Sequence, residues 1–243
     1  MFELFRMDMR RMFRDRKLYG FLAASFAIIL VVRLIVGSDD ITQIEYLIEM
    51  MHGGFLPVFG CCYAALFVCA DFENGFYKHI FSAHAKYQHY IYAKILSLSV
   101  AAILFVVTAA VSSFLVSSIG NLALPFSTLS ATVSITLPLL IQNWIILVGF
   151  FTMMLFFGIL IKNKGILAVS IIAASGLIVN MADSLIKAIH HPEWEKFLYY
   201  TLNGLSSQRR YTVTATWHII LIGIAWILVY SITSTLLLKR KKF

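Results

Sequence analysis

The residues that could do chemistry are few, and most stand outside the long apolar runs of the chain. His79, His84 and His89 recur every five residues. On a helix that interval spreads the rings around the axis, whereas stacked metal ligands sit three or four apart. They read as solvated loop residues, as does the pair His190-His191 beside Pro192. Cys61, Cys62 and Cys69 lie in one apolar stretch at no zinc or redox spacing, so they read as small packing groups. The chain has no HExxH, no paired aspartates or Ser/His pair at a shared depth, and no G-x-x-x-x-G-K-[ST] loop for a nucleotide. These features argue against an enzyme and assign no catalytic residue, metal ligand or cofactor to this chain.

The neutral polar residues Gln142, Asn143 and Asn180 stand inside apolar runs, where such groups either hydrogen-bond between helices or line a polar path. An ion-driven carrier would need a titratable or ligating charge near the middle of a span. No such residue stands in 53–70, 95–119, 134–161 or 165–182.

The elements that must position these residues follow from composition. With 243 residues, 60% of them hydrophobic and 13% charged, the chain has more apolar surface than a soluble domain could bury. Its mean hydropathy is +0.84. Long unalternating apolar runs must span a bilayer as helices, because only helices satisfy their own backbone groups without a partner strand. Runs of sufficient length cover 18–36, 53–70, 95–119, 134–161, 165–182 and 216–238. The expectation is a single all-α membrane domain over 1–243 with six transmembrane helices. Residues 95 to 161 contain no Asp, Glu, Lys, Arg or His and form a hairpin turning near Gly120–Pro125.

Charge sets the orientation. Segments 1–17, 71–94, 162–164 and 239–243 hold fifteen of the twenty Lys and Arg residues, while 37–52 and 120–133 hold none. Both termini are therefore expected inside, in a multi-pass cell-membrane protein. The final Lys239-Arg240-Lys241-Lys242 reads as a stop-transfer anchor. The net charge of +8 needs no nucleic-acid partner, because the basic clusters flank apolar spans and no soluble module presents them.

The first seventeen residues do not resemble a cleavable signal. At about 100° per residue, Phe2, Phe5, Met9, Met12 and Phe13 fall on one side of a helix and Arg6, Arg10, Arg14 and Lys17 on another. Such a helix lies in the membrane interface with its cations toward anionic lipid headgroups. A simple basic leader is the plainer alternative. Outer loop 183–215 mixes charges with Ile186, Ile189, Trp194, Phe197 and Tyr200, which suits short helices that cap the outer mouth or anchor in the headgroup layer.

Between the second and third spans stands Glu73-Asn74-Gly75-Phe76-Tyr77-Lys78, followed by a polar, aromatic stretch to Lys94. This arrangement resembles the membrane subunit of ABC type-2 exporters, whose second span leads into a cytoplasmic segment reading approximately E-x-G-T-x-K and ending in a Lys that opens the third. Phe76 stands where Thr is common, and the small-residue/Arg pair usual midway is absent around Ser82–Lys86. The resemblance covers the chain in order: N-terminal elbow helix, first cytoplasmic loop 71–94, charge-free hairpin, short second loop Lys162-Asn163-Lys164 and enlarged last outer loop.

The resemblance implies a bacterial permease subunit of an ATP-driven exporter, working as a homodimer or with a related permease. Residues 73–78 would contact a separate ABC ATPase that holds ATP and Mg. Permeases of this size suggest an amphipathic or hydrophobic peptide as substrate. A membrane immunity, sensory or scaffold protein, or an ion-coupled carrier, are the alternatives.

Overall fold

A computed structural model describes residues 2–36, 55–76, 80, 87–118, 129–161, 163 and 213–240. Every described element is helical: α1 (Phe2–Arg14), α2 (Arg16–Val36), α3 (Phe55–Glu73), α4 (Tyr87–Ser118), α5 (Leu129–Ile161) and α6 (Val213–Arg240). Four of these, α3 to α6, are long and apolar enough to cross a membrane, and α2 occupies the place of the first expected span. The expected fifth span and residues 183–212 of the expected outer loop lie outside the described residues, as do Asn180, Tyr77 and Lys78, and residues 213–215 belong to α6.

Buried rings join the helices at one level. Tyr63 of α3 is fully buried and meets Phe21 of α2, Phe67 of its own helix and Phe105 of α4 at centroid distances of 6.4, 5.9 and 6.0 Å. Phe105 in turn meets Phe151 of α5 edge-on at 6.3 Å. At two close helix contacts the residue on one side is glycine. A Cβ on Gly60 would stand 2.7 Å from the Phe151 ring, and one on Gly223 of α6 would stand 2.7 Å from Ile145 of α5. Small residues at such crossings let helix backbones pack where lipid supplies no hydrophobic drive. Helix α6 runs parallel to α5, with Tyr230 against Phe156 at 6.0 Å.

The outward faces are also apolar. Trp217, Leu221, Leu228 and Ile232 of α6 are all more than half exposed, a surface suited to lipid and not to water. Cys61 and Cys69 are buried and Cys62 is half-buried, as small packing groups would be.

The third span differs from expectation in where it starts. Helix α4 begins at Tyr87, about two turns before residue 95, so Tyr87–Lys94 is helix and not loop. The sequence reading ended the span at a charge, but Lys94 is fully buried with its charge matched inside the protein. A neutralised cation does not terminate a helix.

Candidate functional site

At the end of the bundle where α3 finishes and α4 begins, four charged side chains from three helices meet. The Lys94 ammonium lies 2.9 Å from Asp8 Oδ1 and 2.7 Å from Asp71 Oδ2. The Arg11 guanidinium donates to Asp71 Oδ1 at 2.7 Å and stands 3.8 Å from Asp8. Tyr90 donates its hydroxyl to Asp71 Oδ2 at 2.9 Å. Aromatic faces close the cluster: the Lys94 ammonium lies 4.2 Å from the Phe67 ring centre and the Arg11 guanidinium 4.7 Å from that of Phe76. Cations over ring faces gain most where water is excluded.

Each element is shaped locally for this meeting. Helix α1 breaks at Asp15, whose side chain accepts the backbone N–H of Lys17 at 3.0 Å and so caps the start of α2. Tyr19 reaches back to donate to the Phe13 carbonyl at 3.0 Å. The turn therefore holds α1 against the bundle, with Asp8, Met12 and the stem of Arg11 facing inward. Helix α3 ends with Gly75 at φ +65°, the left-handed conformation that commonly closes helices. On α4, Tyr90 and Lys94 are one turn apart and so share a face.

With Asp8, Asp71, Arg11 and Lys94 all ionised, the cluster is neutral, which is the condition under which buried charges are tolerable. The compensation is uneven. Asp71 takes the shorter contacts from both cations and the Tyr90 hydroxyl, whereas Asp8 has one close contact and one at 3.8 Å. Burial accordingly holds the Asp8 carboxyl above the usual aspartate range, with Lys94 pulling the other way. What the arrangement can do chemically is hold: it pins α1 to the two helix ends that flank residues 74–86. It presents no nucleophile or general base to a substrate.

The residues singled out from the sequence are placed as follows. Glu73 and Asn74 are exposed, Gly75 and Phe76 half-buried, and Phe76 packs under Arg11. Arg6, Arg10, Arg14 and Lys17 are all exposed. Gln142 and Asn143 are buried inside the chain. The Asn143 amide donates to the Leu139 carbonyl at 2.9 Å, while the Gln142 amide nitrogen has no acceptor among the described residues. The structure thus brings Phe76 and Lys94 into the cluster and leaves the other described ones outside it.

No protein-family model matches the chain, and no curated protein matches it either.

Sequence reasoning missed Asp8, Arg11 and Tyr90. A signal was present for Asp8: it stands one turn from both Leu4 and Met12, an acid on an apolar stripe. An acid there needs a buried cation, and Lys94, at the head of the charge-free run 95–161, was the natural partner.

Proposed function

We propose that this chain is the membrane subunit of an ABC exporter: a multi-pass cell-membrane permease with both termini in the cytoplasm, paired with a second permease copy and driven by a separate ATPase. The observation that carries the reading is the buried cluster. It fastens both roots of segment 74–86, Asp71 and Lys94, to the interfacial helix α1. A push on that segment is therefore passed to α1, α3 and α4 together and not absorbed in a loose loop. Packed elements with two discrete arrangements are how small displacements become large ones. Exposed Glu73 and Asn74 stand at the entry to the segment, where a partner could reach them.

In this reading ATP and Mg bind the partner, and its closure moves the segment as a lever. Neutral buried polar groups such as Gln142 and Asn143 suit an amphipathic or hydrophobic peptide as cargo better than a small ion. The test is to purify the chain with the ATPase encoded beside it and to measure peptide-stimulated hydrolysis in wild type, Glu73→Ala and Lys94→Met. Coupling should be lost in Glu73→Ala with assembly intact, and in Lys94→Met through a loosened segment. Failure to recover any ATPase, with unaltered behaviour of all three proteins, would favour an immunity or scaffold role.

A further inference from the structure

The same helix that gives matched charges to the cluster carries further cations on the adjoining face, with Arg11 at the edge of both. Between α1 and the last turns of α3 lies an open cavity of about 370 Å³, within the range of small-ligand pockets of about 300–1,000 Å³. Arg10, Arg14 and Lys17 line one wall, and Leu66, Phe67 and Ala70 line the other. The only carboxylate on the lining, Asp15, is engaged in capping α2. Arg10, Arg14 and Lys17 form no ion pair among the described residues.

We propose that this cavity binds one anionic phospholipid, its phosphate held by Arg10, Arg14 and Lys17 and the head of its acyl chain laid on Leu66 and Phe67. Arg10, Arg14 and Lys17 outnumber the single carboxylate of Asp15, so the lining is net positive and suits an anion, and guanidinium forks suit phosphate oxygens. The apolar wall calls for alkyl carbon beside that anion. A free phosphate or nucleotide would satisfy the first demand and leave the second wall wet; an anionic lipid satisfies both. On the far side of Arg10 and Arg14, a shallower concavity is walled only by residues of α1. Lipid there has one helix to touch, whereas the proposed site is bounded by two. The inference rests on α3 lying in a membrane and is independent of the ATPase proposal.

The test uses the full chain in a neutral maltoside detergent, mixed with equal dioleoylphosphatidylglycerol and dioleoylphosphatidylcholine and read by native mass spectrometry. One phosphatidylglycerol should stay bound per chain, in preference to phosphatidylcholine. Arg10→Gln with Arg14→Gln should weaken retention roughly thirtyfold, at about a factor of five per cation. Lys239→Gln with Arg240→Gln removes two exposed cations elsewhere and should leave retention unchanged.

Ala70→Trp keeps every charge but fills the cavity, and should abolish retention. Should that variant not fold, Leu66→Gln makes the same wall polar and serves in its place. Equal retention of both lipids would overturn the proposal. So would wild-type retention in the cavity-filled variant, which would mean diffuse surface attraction. Displacement of the lipid by millimolar inorganic phosphate would make the site one for a soluble anion and overturn the proposal as well.

Discussion

Replacing Lys94 by Met tests whether the cluster holds α1, α3 and α4 together. The substitution keeps most of the side chain's apolar stem and removes the ammonium group, which is fully buried and touches both carboxylates, at 2.7 and 2.9 Å. What remains is two buried carboxylates served by one guanidinium and one hydroxyl, an excess of one negative charge. Removing one partner from a buried pair costs about 3–5 kcal/mol, mostly through the charge left behind. Asp8 is the carboxylate left worse off, since its remaining cation, Arg11, stands 3.8 Å away.

Adding Asp8→Leu to Lys94→Met should therefore recover most of the loss. The residual set, Arg11, Asp71 and Tyr90, is neutral and keeps its contacts of 2.7 and 2.9 Å. A coupling of at least ~2 kcal/mol between the two substitutions is expected, the size found for contacting residues in one network. Unfolding in mixed micelles with rising denaturing detergent, followed by helical circular dichroism, measures each corner of the cycle. A second readout is alkylation of Cys69, which is fully buried two residues from Asp71; it should quicken in Lys94→Met and slow again in the double variant. A loss under about 1 kcal/mol for Lys94→Met, or strictly additive effects, would refute the idea that charge matching holds these helices.

Four further outcomes are expected. Because burial raises the Asp8 carboxyl in the folded protein above its ordinary value of 3.8, the folded state binds the extra proton. Wild-type stability relative to Asp8→Asn should accordingly rise as pH falls through that raised value and level off below about 4; a relative fall in thermal-unfolding midpoint over the same range would reverse the assignment. Gly60→Ala places a methyl 2.7 Å from the buried Phe151 ring and should destabilise by about 1–3 kcal/mol, whereas Gly20→Ala meets nothing within 4 Å and should be neutral or gain up to about 1 kcal/mol in the same unfolding assay. Gly75→Ala, at φ +65°, should cost about 1 kcal/mol, and Gly75→Asn less; equal effects would remove the left-handed cap from the account. Single cysteines at Asn163 and Phe243 should label from the cytoplasm and those at Asp39 and Glu193 from outside, and cytoplasm-only labelling at Asp39 would invert the topology.

Which parts of the molecule were legible from sequence follows from the range of each interaction. Hydrophobic runs are summed over about twenty residues, so α3, α4, α5 and α6 could be read without knowing their neighbours. The amphipathic α1 was legible as two stripes, apolar and cationic, because each stripe repeats. The inward pair Asp8 and Arg11 was not, because they share no residue type; what unites them is partners eighty-six and sixty residues away. Lys94 illustrates the same limit from the other side. By type it marks a span boundary, and only the two carboxylates brought to it by α1 and α3 turn it into an interior residue of α4.

The cluster also bears on why segment 73–78 resists interpretation from sequence alone. Phe76 has the character of an interface anchor, a large ring next to a glycine, and aromatic anchors commonly dominate binding energy. In the structure its face is occupied by the Arg11 guanidinium at 4.7 Å, and Arg11 is itself fastened to Asp71. A partner docking on this segment must either use the residues that remain exposed, Glu73 and Asn74, or draw Phe76 away from Arg11. The second route would weaken the hold on Asp71 and hence on Lys94, so docking and the grip of α1 on the bundle would be linked through one ring. Phe76→Leu, which keeps apolar bulk but removes the ring face, should separate the two cases. If partner binding uses only Glu73 and Asn74, affinity should stay within about twofold while Cys69 alkylation quickens. If the ring itself is the anchor, affinity should fall about tenfold or more, equivalent to at least ~1.4 kcal/mol.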